Sequence, residues 1–353
     1  MYHIKVRNAD NQRLANWDAY TRGVKYVQQT YTFNIAEPTL NDYNYNAITK
    51  CNEFLSDMPE VPRTYISFPI PKRSGGVRTI TAPNDALKEQ QFKLLRLLQE
   101  LQPYAHNAAY AYVKGRECKD AVTVHQKNNS KYFLKLDLKS FFPSCEKSFV
   151  ISQLQNIYPF HCIPNLSELL DICFIVDENG NKVLPQGAPT SPYLCNMVMV
   201  AYDYKINKKL WQYNNQHFVY TRYADDILIS SFKPFDPEVI TTVIEDILRN
   251  TPLTINKNKT RYGNIGGRNW NLGLMLTKDN KITVGYQRKH RMKNMIHNFM
   301  SDFEKGIIWN KQDCQHLQGE VSYIRHIEEE FVKNYIDNKY PMFYNNLKQA
   351  LNT

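Results

Sequence analysis

Two aspartates, Asp225 and Asp226, stand side by side between the apolar stretches FVYTRY and ILISSF. Adjacent carboxylates repel each other and cost stability unless a cation is present. A third acid, Asp137, lies near the end of KYFLKLDL and is followed by Lys139 and the pair Phe141-Phe142. Neighbours in a strand point to opposite faces, so at a tight turn one carboxylate faces a site directly and the other reaches it from the rim. Mg²⁺ takes one or two carboxylates and completes its octahedron with water and substrate phosphates. Two such ions, about 3.5–4 Å apart, can activate a 3′-hydroxyl and stabilise a leaving pyrophosphate in an in-line displacement. Three carboxylates from two adjacent strands are the minimum set for that task. Each acid taken singly is as readily a structural or solvated turn residue, so the constellation carries the reading.

The elements that must position these acids are legible in part. Alternating β-formers in TYISFPI and GVRTITA, around Arg73-Ser74-Gly75-Gly76, predict two strands and a turn. Residues 85–102 place Leu87, Phe92, Leu94, Leu95, Leu98 and Leu101 at helical spacing. A helix is expected around 38–57 and another over 240–248. KYFLKLDL (131–138) reads as one strand, and FVYTRYADDILISSF (218–232) as two strands meeting at the acids. LTINKNKT (253–260), RNWNLGLML (268–276) and KITVGY (281–286) read as further short strands. From 287 onward Met292, Met295, Ile296, Phe299, Met300 and Phe303 fall on one helical face, and a second helical region follows at about 312–336.

With 42% apolar and 13% aromatic residues, the 353-residue chain can build a sizeable core, which excludes wholesale disorder. No apolar run reaches the roughly 18 residues of a membrane span, and the N-terminal MYHIKVRNADNQ lacks the apolar region of a signal peptide. Seven scattered cysteines, never spaced CxxC, argue against a zinc ribbon or a disulfide scaffold and suit a reducing cytoplasm. Charge is uneven. Residues 251–300 hold ten Lys and Arg against one acid, Asp279, a local +9 within a chain of net +10. Such a patch is the footprint of a polyanion partner, although a solvated helix face carries the same signature.

These pieces resemble the reverse transcriptases. FLKLDLKSFFPS (133–144) is similar to their first catalytic motif, and LPQGAPTSPYLCN (184–196) to the QGxxxSP turn beside the nascent base pair. YADD (223–226) is similar to the metal-binding box, NKNKT (256–260) to the lysine motif that follows it, and WNLGLML (270–276) to the primer-gripping hairpin. KRSGGVRTI (72–80) is similar to the strand pair that holds the incoming triphosphate. All six stand in family order over about 200 residues. In size and wording the chain is similar to compact bacterial enzymes, retron-like or defence-associated, and it is too short for an intron-type enzyme with maturase and endonuclease domains.

The resemblance implies an α+β right-hand polymerase fold: an N-terminal extension over 1–60, fingers and palm with an antiparallel palm sheet over 61–286, and a helical thumb over 287–353. It implies Asp137, Asp225 and Asp226 as catalytic ligands of two Mg²⁺ ions, with Leu138 grouped among the metal-binding positions. Lys72 and Arg78 would neutralise the triphosphate. Phe142 would lie under the sugar and exclude a 2′-hydroxyl, if it is not simply a core phenylalanine. Gln186 and Gly187 would line the floor beneath the templating pair, with glycine admitting close backbone approach. Lys259 would act as an acid for the leaving pyrophosphate or as a phosphate contact. Tyr223, Leu272 and Gly273 would meet the primer, and Lys289 and Lys293, four apart on one helix face, would track a duplex backbone. The implied partners are an RNA template, in this group commonly a dedicated noncoding RNA serving antiphage defence, together with dNTPs and the DNA product. A second copy or an effector protein is a further candidate, and no membrane is expected. Two other readings stay open: untemplated or unprimed DNA synthesis at the same site, and a non-catalytic RNA-binding scaffold. Paired acids facing a polyanion argue against the scaffold, because without a cation they repel phosphate.

Overall fold

The computed structural model describes residues 40–71, 76–102, 104–213, 216–265 and 272–352. Helix α1 (Leu40–Ser56) precedes a hairpin of β1 (Tyr65–Pro71) and β2 (Val77–Pro83), paired from Tyr65–Pro83 to Pro71–Val77. Helix α2 (Asp85–Leu101) starts where the Asn84 side chain accepts the Leu87 N–H, and it buries Leu87, Leu94 and Leu98. Helix α3 (Cys118–Lys127) is closed at its N-terminus by a capping box of Glu117 and Asp120.

The central sheet has the order β6-β7-β3-β8 and is antiparallel throughout. Its strands are β3 (Tyr132–Asp137), β6 (Val219–Tyr223), β7 (Asp226–Ser231) and β8 (Arg261–Asn264). Between β3 and β6 lie α4 (Lys147–Leu154), the short ribbon β4 (Ile175–Val176) with β5 (Lys182–Val183), and the long helix α5 (Ser191–Trp211). Alternation along the strands gives the sheet two different faces. Leu134, Leu136, Tyr220, Ile227 and Ile229 enter the main core with α2, α4, α5 and α6 (Pro237–Leu248). Phe133 and Leu228 enter a second core shared with the C-terminal helices. Those are α7 (Tyr286–Glu304), α8 (Lys311–Ile327), α9 (Glu329–Lys339) and α10 (Phe343–Asn352), reached through the small ribbon β9 (Met275–Leu276) and β10 (Ile282–Thr283).

Three strand expectations are corrected. LTINKNKT forms no strand: Leu138 makes an isolated bridge to Ile255, and Lys257–Lys259 is a 3₁₀ turn. Two lysines and two asparagines in succession favour solvated turns over a pleated surface. Of RNWNLGLML, only Met275–Leu276 is strand, and residues 266–271 lie outside the described residues. KITVGY keeps only Ile282–Thr283, because Tyr286 opens α7. The fourth strand of the sheet is instead Arg261–Asn264. Among the described residues no helix is long and apolar enough to cross a membrane.

Candidate active site

The three acids converge because two strands and one turn hold them. Asp137 ends β3 and Asp226 begins β7, and the two are direct cross-strand partners. Asp225 sits in the two-residue turn between Tyr223 and Asp226, beside Ala224 at φ 57°. The Leu138 N–H donates to the Asp225 carbonyl at 2.9 Å, which fastens the turn to the end of β3. Asn256 N–H donates to the Asp137 carbonyl at 2.8 Å and closes the other side.

Asp137 is 5% exposed and accepts both hydrogen bonds of the Lys259 ammonium, at 2.9 and 3.1 Å. Asp226 accepts from Lys135 Nζ at 2.9 Å. Burial, then the Asp226 charge, push the Asp225 carboxyl above its ordinary pKa, and Asp137 adds to this; its own backbone hydrogen bond and Lys259 oppose. Three carboxylates against two ammonium groups leave one negative charge in excess. Hard oxygen donors with surplus negative charge fit a divalent cation, and the two ammonium groups mark where positive charge is favoured. Among the described residues no three His, Cys, Asp or Glu side chains form a ready cage. An ion that keeps water and takes phosphate oxygens as ligands needs none.

A buried hub supports the turn. Arg222 is fully buried on the core face of β6. It donates to Asp203 of α5 through Nε (2.9 Å) and a terminal nitrogen (2.7 Å), to Asn196 Oδ1 at 3.0 Å, and to the Ala224 carbonyl at 3.2 Å. Tyr220 donates to the same Asp203 at 2.6 Å. Charge-assisted forked pairing of this kind fixes geometry as well as charge. On the opposite face His125 bridges Ser230 (2.6 Å) and Thr221 (2.8 Å), and burial pushes its pKa down to about 3. Sequence reasoning passed over Arg222, Asp203, Asn196 and His125. The available signal was charge inside otherwise apolar segments: Arg222 in FVYTRY and Asp203 in the Met-rich MVMVAYDY.

The remaining candidates are placed as follows. Tyr223 and Leu272 line one cleft with Lys135, Thr221, Asp226 and Leu228. Leu272 and Gly273 both have positive φ, 57° and 80°, and bend the chain there. Phe142 is partly buried against the main core, with its ring 5.9 Å from that of Phe141. Arg78 is exposed on β2, and Lys72 lies outside the described residues. Gln186 accepts the Thr81 N–H at 2.8 Å, and Gly187 has φ +139°. A Cβ on Gly187 would stand 2.7 Å from Ile80 Cγ2 and 2.9 Å from the Thr81 carbonyl, so glycine here lets β2 dock on the turn. The two lysines of α7 engage neighbouring residues rather than forming an open row. Lys289 pairs with Glu328 and lies over the Phe331 ring, and Lys293 lies over Phe331 and Tyr335.

Residues 70–319 match the family described as reverse transcriptase (RNA-dependent DNA polymerase). The Retron Ec73 reverse transcriptase of Escherichia coli is 32% identical over 289 residues, covering 79% of this chain and 88% of that protein. The Retron Ec83 reverse transcriptase of the same organism is 31% identical over 284 residues, covering 78% and 86%. Among solved structures, a Candida albicans telomerase in complex with a fragment of telomeric RNA superposes with a TM-score of 0.45 at 14% identity, over 87% of this chain and 62% of that one. The chain belongs to the reverse transcriptase family and is an RNA-directed DNA polymerase.

Proposed function

We propose that this reverse transcriptase copies a dedicated noncoding RNA into DNA in antiphage defence. The observation that carries its chemistry is the Asp137–Asp226 cross-strand pair with Asp225 on the adjoining turn. Asp137, Asp225 and Asp226, with the Leu138 main chain, would hold two Mg²⁺ ions, which when bound supply activation of the primer hydroxyl and charge for the leaving pyrophosphate. The protein's own groups do the rest. Arg78 and Lys72 meet the triphosphate, and Phe142 lies under the sugar and selects deoxynucleotides. Gln186 and Gly187 border the templating pair. Lys259, on Asp137 in this structure, turns toward the triphosphate and serves the departing phosphate. Tyr223, Leu272 and Gly273 seat the primer end, and Lys289 and Lys293 stand beside the duplex. In this reading residues 61–286 are fingers and palm and 287–353 the thumb. Similarity to the Retron Ec73 and Ec83 reverse transcriptases over 88% and 86% of their length supports a dedicated RNA template.

The test is to purify the protein expressed from its native locus and sequence the bound RNA and DNA, beside an Asp225→Ala/Asp226→Ala control. One specific RNA with complementary DNA, the DNA lost in the control, is the expected result. Simple-repeat DNA with no matching RNA would overturn templated copying, and RNA without DNA in both samples would favour a scaffold. Phage plating on cells carrying either form tests the defence role: equal protection by both removes synthesis from it.

A further inference from the structure

Tyr112 occupies a backbone position that its side chain does not favour. Its φ is 60°, in the left-handed region where bulky residues are genuine outliers. The chain before it is held tightly. Arg222 N–H donates to the Ala108 carbonyl at 2.6 Å, Tyr110 N–H to the Arg222 carbonyl at 2.8 Å, and Asn196 Nδ2 to the Ala111 carbonyl at 2.8 Å. Ala109 and Ala111 are buried, whereas Tyr112 is 52% exposed. The hub that fastens the Ala224 turn therefore also fixes the residue before Tyr112 and turns this ring outward. The ring meets Phe142 edge-on, with centroids 6.5 Å apart and planes at 62°. The surrounding protein and then the Asp225 charge raise the Tyr112 hydroxyl pKa while Arg78 lowers it, so both charged groups reach it. Tyr112 thus touches the residue assigned to the sugar and lies within the fields of Asp225 and Arg78. Backbone strain that persists at such a place is a mark of function.

We propose that Tyr112 is a specificity-determining residue of the nucleotide pocket, its ring holding Phe142 in the orientation that excludes a 2′-hydroxyl and its open side bordering the incoming nucleotide. The inference rests on the reading of Phe142 as the residue beneath the sugar. The two aromatics act as one unit, and loss of either ring loosens the same wall.

The experiment is single-nucleotide incorporation with dNTP and rNTP by Tyr112→Ala, Tyr112→Phe, Phe142→Ala and the Tyr112→Ala/Phe142→Ala double variant. Tyr112→Ala is expected to lower deoxynucleotide selectivity about three- to tenfold, the range of one aromatic pair, mainly through a lower KM for the rNTP. Tyr112→Phe keeps the ring and keeps selectivity. The double variant is expected to be no less selective than Phe142→Ala, the non-additivity of a contacting pair. Tyr112→Gly, which suits φ 60° without strain, guards against misfolding: its Tm should match or exceed that of the wild type while its selectivity falls. Unchanged selectivity in Tyr112→Ala beside a loss in Phe142→Ala would overturn the role of Tyr112, and additive losses would overturn the coupling. Unchanged selectivity in Phe142→Ala would instead remove Phe142 from the sugar site, and the inference would fall with it.

Discussion

Asp137 and Asp226 face each other directly across β3 and β7, yet each is held by a lysine from a different place: Lys259 from the 3₁₀ turn after α6, and Lys135 from β3 itself. The acids are thus built as a repulsive cluster, calmed by two ammonium groups.

The first prediction concerns that repulsion. Asp225→Asn should hold or raise Tm in chelator, because it removes one of three crowded carboxylates. Added Mg²⁺ should raise the Tm of the wild type and leave that of the variant nearly unmoved. Primer extension should fall by about a hundredfold or more, as expected when a group that stabilises transition-state charge is lost. Thermal scans with and without Mg²⁺, beside an extension assay, check all three; an equal Mg²⁺ shift in both proteins would remove Asp225 from the ion.

Arg222 offers a second test. Arg222→Met leaves Asp203 charged, buried and without its partner, and breaking a buried pair in this way costs about 3–5 kcal/mol. Denaturant unfolding should show this for Arg222→Met. Arg222→Lys keeps the charge but lacks the fork that reaches Asp203, Asn196 and Ala224 together, so it should recover stability better than activity. Full recovery of both by lysine would mean that only charge matters here.

The pH dependence of stability should carry the signature of His125. Its pKa is depressed from 6.5 to about 3 in the fold, so between these values the unfolded chain takes up a proton that the native state does not. Stability from this group is fully present above about pH 6.5 and is lost at up to about 1.4 kcal/mol per pH unit as pH falls toward 3. His125→Gln should start less stable at pH 7 and lose less between pH 6.5 and 4.5. Parallel acid limbs would assign that sensitivity to other groups.

The basic residues of α7 separate packing from binding. Lys289 is paired with Glu328 and stacked on Phe331, so Lys289→Gln should lower Tm. Arg291 lies exposed on the same helix, and Arg291→Gln should leave Tm in place while reducing the slope of log K against log salt for RNA by about one. A flat Tm for Lys289→Gln with a lost salt contact would mean that Lys289 serves the nucleic acid and not the packing of the helices.

Much of the frame was readable because local chemistry is periodic. The β1–β2 hairpin, α2, β3 and the β6–β7 pair announce themselves by alternation or by helical spacing. Helix α5 did not: Tyr193, Leu194, Met197, Val198, Tyr202 and Ile206 are buried around its circumference, so no apolar stripe marks it. The four-residue β8 was equally silent, because RYGN gains strand geometry only from pairing with β3.

The site divides in the same way. Residue type and order along the chain pointed to the three aspartates, the QG turn and the lysine motif, because these motifs resemble those of the reverse transcriptases in the same order. Tertiary structure alone decided that Arg222 turns inward to hold both Ala224 and Asp203, that Lys259 lands on Asp137, that Lys289 is engaged by Glu328, and that Tyr112 stands edge-on to Phe142. Each of those depends on contacts between residues distant in sequence, where strand register and helix packing choose the partner and local spacing carries no information about it.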